Sequence, residues 1–175
     1  IIDVAWCSQP LGNEDNSIQI VFNGEIYNYL ELRESLLAKG HQFRTNSDTE
    51  VMVHLYEEVG EDLPSHLNGM FAFAIWDSGG KKLFLARDRM GKKPLYYREG
   101  GQDGIKFCFA SELKAILEVP GSGGSIDAGS VADYLAFGYV PDPRSIYKNV
   151  SKLAPGHCLS VTSAGLRLRC YWEPR

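Results

Sequence analysis

The run Met70-Phe71-Ala72-Phe73-Ala74-Ile75-Trp76-Asp77 limits what this chain can fold into more than any other segment. It is nearly continuous in apolar residues and carries three aromatic rings. Neighbouring side chains of a strand point to opposite faces, so a strand that is apolar at odd and even positions alike needs cover on both sides. Phe71, Phe73 and Trp76 are therefore expected in the core. Gly79-Gly80 makes a turn, and Lys82 to Asp88 returns as a second apolar strand. Pro94 to Arg98 and Ile105 to Ala110 follow as shorter strands, joined through Gly100-Gly101-Gln102-Asp103-Gly104. A middle of this kind is antiparallel and rich in hairpins.

Helical signals flank that middle. Asn28 stands three residues before Glu31, an Asn form of the capping box, and Leu32, Leu36 and Leu37 share a face up to Gly40. Ser47-Asp48-Thr49-Glu50 repeats the pattern, with Ser47 as cap and Val51, Leu55, Tyr56 and Val59 along one face until Gly60. Ile18 to Phe22 reads as a strand and His41 to Thr45 as a short extended segment. Further helices are expected from Ser111-Glu112 to Leu117 and from Val131 to Phe137. Late strands are expected at His157–Val161 and Leu166–Tyr171. Helices segregated from antiparallel strands define an α+β layered domain.

Size and charge exclude several classes. The 175 residues suit one domain with a full core. A net charge of −4, with only the isolated pairs Lys81-Lys82 and Lys92-Lys93, offers no basic stripe to nucleic acid. No apolar run reaches the length of a membrane-spanning helix. Cys7, Cys108, Cys158 and Cys170 lack CxxC spacing and read as reduced thiols of a cytoplasmic protein. His41, His54, His66 and His157 lack the short spacings of zinc ligands, so no metal site is expected. Ser122-Gly123-Gly124-Ser125-Ile126-Asp127 resembles an SGGxDS pyrophosphate loop with its Asp one place late, and reads as a linker after Pro120. No phosphate-cradling glycine loop is present, so no cofactor is expected within this chain. The opening Ile1-Ile2-Asp3-Val4 reads as the interior of a strand, which places the natural N-terminus upstream.

The chemistry concentrates in Asn23-Gly24-Glu25-Ile26-Tyr27-Asn28, read as a polar turn at the end of the first strand. Asn23 offers an amide, Gly24 a backbone N–H that no Cβ shields, and Glu25 a negative charge. This inventory can hold an oxyanion on one side and an ammonium on the other. Asn-Gly is also a common hairpin signal, so a turn that merely ends a strand accounts for the same residues.

Five segments in order carry a resemblance. They are Asn23 to Asn28, Ser47 to Glu50, Gly69-Met70-Phe71-Ala72-Phe73-Ala74, Ala86-Arg87-Asp88-Arg89-Met90-Gly91-Lys92-Lys93-Pro94-Leu95-Tyr96-Tyr97, and Ala110-Ser111-Glu112-Leu113-Lys114. Together they resemble the class II glutamine amidotransferase domain of glutamine-hydrolysing asparagine synthetases, over residues 1–161. Residues 162–175 are then the start of a connection to a C-terminal synthetase domain. The segment Asp133 to Leu159 is similar to asparagine-synthetase-like proteins of bacterial surface-polysaccharide clusters.

The resemblance implies a four-layer αββα sandwich of antiparallel sheets, of the N-terminal-nucleophile amidohydrolase type, incomplete here at its N-terminus. It implies hydrolysis of L-glutamine to glutamate and ammonia, which a synthetase domain using ATP and Mg2+ spends on aspartate. Asn23 and Gly24 resemble the oxyanion hole; Glu25 and Asp48 resemble the carboxylates that receive the α-ammonium of glutamine. Ile1 and Ile2 would line the same pocket through their backbone. The family's nucleophile is an N-terminal cysteine whose own α-amino group acts as base, a pairing suited to neutral pH. That cysteine and a carboxylate-binding arginine match no residue of this chain, so the chain alone is expected to be inactive. Cys7 has no free α-amine and reads as structural. Arg87 and Asp88 read as a structural ion pair that holds the loop to Pro94. Asp48 has a plainer reading as a first-turn acid favoured by the helix dipole. A glutamine-binding module without catalysis, another ammonia acceptor and a homodimer are further readings.

Overall fold

In the computed structural model, which describes residues 8–100, 106–120, 122 and 124–174, the elements follow in this order. They are β1 (Leu11–Gly12), β2 (Ile18–Ile26), α1 (Tyr29–Ala38), α2 (Asp48–Val59), α3 (Leu63–His66), β3 (Gly69–Asp77), β4 (Lys82–Arg87), β5 (Tyr96–Glu99), β6 (Phe107–Ala110), α4 (Leu113–Leu117), α5 (Ala128–Phe137), β7 (Ser151–Lys152), β8 (His157–Thr162) and β9 (Gly165–Cys170). They fall into two units, one made of the residues up to Lys93 and from Pro155 on, the other of Pro94–Ala154.

The first unit is an antiparallel sheet in the order β1-β2-β3-β4-β8-β9 with helices against it. β3 lies inside this sheet, and residues 71–75 are buried without a break. Phe71, Phe73 and Ile75 pack with Ile20 and Ile26 of β2, Leu36 of α1, and Val51, Met52 and Leu55 of α2. Ala72 and Ala74 are buried on the opposite face, so the strand is covered on both sides as its composition requires. Trp76 corrects the expected core: it is 44% exposed, because it stands on the alanine face near the end of the strand. Leu37 is a second correction. It is exposed while Leu36 is buried, since one helical residue turns a side chain through about 100°.

The helix starts are built differently from the capping-box pattern. Asn28 makes no cap bond to α1. Its Nδ2 instead donates to His66 O at 3.1 Å and its Oδ1 accepts from Asn68 N at 2.9 Å, which joins the start of α1 to the entry of β3. Ser47 does cap α2, its Oγ accepting from Thr49 N at 3.1 Å. Glu50 turns back on the preceding loop, accepting from Arg44 N at 2.8 Å, Thr45 N at 2.7 Å and Thr45 Oγ1 at 2.6 Å. With the Arg44 and Thr45 amides taken by the Glu50 side chain, the 41–45 segment joins no sheet among the described residues.

β9 pairs antiparallel with β8 from Gly165 to Cys170, so the segment expected to open a connection carries a strand of the sheet. In the second unit β5 lies between β6 and β7. Asp127 caps α5 by accepting from Ser130 N at 3.0 Å, which starts that helix at Ala128, earlier than Val131. Asp127 thus has a local backbone partner rather than a pyrophosphate role; Gly123 lies outside the described residues.

Candidate active site

Asn23, Gly24 and Glu25 are not a turn. They continue β2 as an extended strand paired with β3, Asn23 opposite Ala72, Gly24 opposite Phe71 and Glu25 opposite Met70. The hairpin signal of Asn-Gly is overridden because nine residues of β2 find partners on β3.

An antiparallel residue presents its N–H and C=O to the same edge, and successive residues alternate edges. Ile20 faces β1 through its pairing with Leu11. Phe22 faces the same edge, where its N donates to Gln9 Oε1 at 2.7 Å and its O accepts from Gln9 Nε2 at 3.0 Å. Ile26 N donates on that edge to Asp48 Oδ2 at 3.0 Å. Tyr27 N faces the other way, to Asn68 O at 2.7 Å. The alternation therefore puts the Gly24 N–H on the outer edge, between the Gln9 amide and the Asp48 carboxylate. Side chains alternate too: Ile20 and Ile26 face the core, while Asn23 and Glu25 share the other face.

Asp48 is the first residue of α2 and is 6% exposed. Its bond to Ile26 ties the start of this helix to the end of β2, so residues 26 and 48 meet although 22 positions separate them. The carboxylate also sits at the positive end of α2. Gly24 has a second duty. A Cβ there would lie 2.1 Å from Met70 O and 2.8 Å from Phe71 Cα, so only glycine fits against β3. Gly69 is as tight, with Glu25 O at 2.3 Å from a would-be Cβ. Ile1, Ile2 and Cys7 lie outside the described residues.

Arg87 and Asp88 hold the loop that follows β4, and the bonds that do so run to backbone. Asp88 Oδ1 accepts from Met90 N and Lys92 N, each at 3.0 Å, and Oδ2 from Phe71 N at 3.2 Å and Lys93 N at 3.0 Å. Arg87 Nε donates to Lys93 O and its Nη2 to Gly91 O, both at 2.8 Å. Tyr171 Oη donates to Arg87 O at 2.7 Å, and burial pushes its phenol pKa up. A cavity of about 210 Å3 opens beside this loop, lined in part by Tyr27, Asn68, Gly69, Asp88 and Arg89. Sequence reasoning missed the Gln9 cover on β2 and the fourfold backbone role of Asp88. An Asp followed by a glycine-containing loop was the one local sign of the latter.

Glu50 supports Asp48 from behind. Burial alone would raise its pKa, but the nearby His54 ring, the Arg44 and Thr45 amides and the Thr45 hydroxyl outweigh it and hold the carboxyl down at about 2. The loop entering Ser47-Asp48 is thereby anchored through a full charge.

The family model described as a glutamine amidotransferase domain matches residues 1–172. Asparagine synthetase [glutamine-hydrolyzing] 3 of Bacillus subtilis is 39% identical over 99% of this chain and 28% of its own length. Asparagine synthetase [glutamine-hydrolyzing] 3 of Arabidopsis thaliana is 52% identical over 67% of this chain and 20% of its own length. The chain thus spans under a third of the curated relatives it matches. Among solved structures, the glutamine phosphoribosylpyrophosphate amidotransferase of B. subtilis, complexed with ADP and GMP, superposes with a TM-score of 0.62 at 23% identity. That match covers 95% of this chain and 32% of the enzyme, and shows a shared fold. With a matching fold, and a family match that runs through β2, the Asp48 helix start and the Asp88 loop, the chain belongs to the glutamine amidotransferase domain family.

Proposed function

We propose that this chain is the glutaminase domain of a glutamine-hydrolysing asparagine synthetase. In that role it releases ammonia from L-glutamine, and a synthetase domain in the same protein uses ATP and Mg2+ to amidate aspartate in the cytoplasm. The curated relatives carry that activity in their names. The observation that carries the assignment of roles is the Asp48–Ile26 bond, which brings a buried carboxylate to the outer edge of β2 beside the Gly24 N–H.

Each group then has a task. The Asn23 amide and the Gly24 N–H donate to the oxyanion that forms when a cysteine thiolate adds to the glutamine carboxamide. Removing one such donor costs about 2.7–4 kcal/mol of transition-state stabilisation. Glu25 and Asp48 receive the α-ammonium. Collapse of the adduct expels ammonia, and water then releases glutamate from the thioester.

Asp48→Asn in the protein as encoded is the test. Asn keeps an oxygen for Ile26 N–H, so the helix–strand tie survives, but the charge is lost. The glutamine KM is expected to rise roughly tenfold to a hundredfold, the loss of one charge-assisted hydrogen bond of about 1.5–3 kcal/mol. Synthesis supplied with free ammonia is expected to stay unchanged. If both activities fall together, Asp48 is structural and the assignment of the ammonium pocket fails.

A further inference from the structure

On the α2 face away from Asp48, two histidines and two glutamates converge from three segments. One donor atom from each of Glu14, His41 and His54 lies within 4.8 Å of the others. Glu57 stands among them: its Oε2 is 3.0 Å from His54 Nδ1 and 3.6 Å from His41 Nδ1. Glu14 Oε2 is 3.9 Å from the same His54 Nδ1. We propose that Glu14, His41, His54 and Glu57 form a binding site for a zinc-like divalent metal ion.

The outer contacts support this as much as the inner ones. A metal-bound imidazole turns its other nitrogen toward a carboxylate, which sets its tautomer and orientation. His41 Nε2 is 3.1 Å from Glu58 Oε1. His54 Nε2 faces Glu50 Oε1 at 3.9 Å and has no hydrogen-bond partner among the described residues, although the ring is buried. Both rings therefore aim Nδ1 inward and Nε2 at an acid. The second oxygen of Glu57 accepts from Asn13 Nδ2 at 2.9 Å, which leaves Oε2 to the centre. Donors about 2 Å from zinc stand roughly 3.3 Å apart in a tetrahedron; the Glu57 to histidine separations of 3.0 and 3.6 Å bracket that spacing, and the half-exposed Glu14, 3.9 Å from His54 Nδ1, has to draw inward. Such an ion would pin the β1–β2 loop and the loop leading to Ser47-Asp48 onto α2.

The full chain, stripped with a chelator, is titrated with zinc chloride by calorimetry and with cobalt(II) chloride by visible absorption. One metal per chain is expected, with cobalt bands of tetrahedral N/O ligation and no sulfur charge-transfer band. Glu14→Gln and His41→Ala, both at partly exposed side chains, are each expected to weaken zinc at least tenfold without altering circular dichroism. His66→Ala/His157→Ala is expected to bind as the parent does. Absence of stoichiometric binding, a thiolate band, or affinity unchanged in both Glu14→Gln and His41→Ala overturns the site.

Discussion

Asp88→Asn separates a structural carboxylate from a catalytic one. In the folded chain Oδ1 and Oδ2 each accept two backbone N–H groups, from Met90 and Lys92 and from Phe71 and Lys93, and the side chain is 1% exposed. Asparagine has the same shape but one oxygen. Whichever way the amide is turned, two backbone N–H groups meet an NH2 donor. Hydrogen bonds to a charged acceptor contribute about 1.5–3 kcal/mol each, so losing two costs roughly 3–6 kcal/mol. Against a total stability of about 5–15 kcal/mol this is a large share. For a chain of this length it lowers Tm by roughly 6–24 °C at about 2–4 °C per kcal/mol. Urea unfolding followed by circular dichroism measures the loss as a shift in midpoint at constant slope. Hydrogen exchange at Met90, Lys92 and Lys93 should accelerate in the same variant. A loss below about 1 kcal/mol with unchanged exchange would show that the carboxylate does not hold this loop, and the structural reading of Asp88 would be refuted.

Other perturbations probe the remaining pieces. Gly24→Ala should destabilise by about 1–3 kcal/mol, because its Cβ meets the backbone of β3. Asn23→Ala should lower glutamine hydrolysis by the encoded protein; a Gly24→Ala variant with the Tm of the parent would contradict the close approach. Glu50 titrates at about 2 in the folded chain against an ordinary 4.5. Its folded pKa is depressed, so its contribution is fully present above about pH 4.5 and is lost as pH falls toward 2. The contribution is at most on the order of 3 kcal/mol. Glu50→Gln should remove that part of the acid-unfolding curve, and a variant curve parallel to the parent's throughout would count against it.

Much of the frame was legible because it rests on periods shorter than ten residues. The double-faced apolar run of β3, the return of β4, the α2 face through Val51, Leu55 and Tyr56 and the Ser47 cap all follow from local spacing. The misreadings share one cause. Asn23-Gly24 has turn chemistry, yet pairing with Ala72 and Phe71, nearly 50 residues away in the chain, keeps it extended. Asn28 and Glu50 have capping spacing, yet their side chains find better partners at Asn68 and at Arg44 and Thr45. Trp76 belongs to the apolar run but stands where cover on its face gives out.

The amino-acid sequence by itself determined the α+β class, the double-faced central strand and the family resemblance, with Asn23, Gly24, Glu25 and Asp48 as its candidate site. Those properties are written in residue type and short spacing, which act before the chain closes on itself. Only the tertiary structure decided that Gly24 presents its N–H on the edge of β2 away from β3, that Asp48 reaches that edge through Ile26, and that Glu14, His41, His54 and Glu57 converge. Each of these joins residues from separate elements. Their distances depend on how β2 pairs and how α2 packs, and no local period records that.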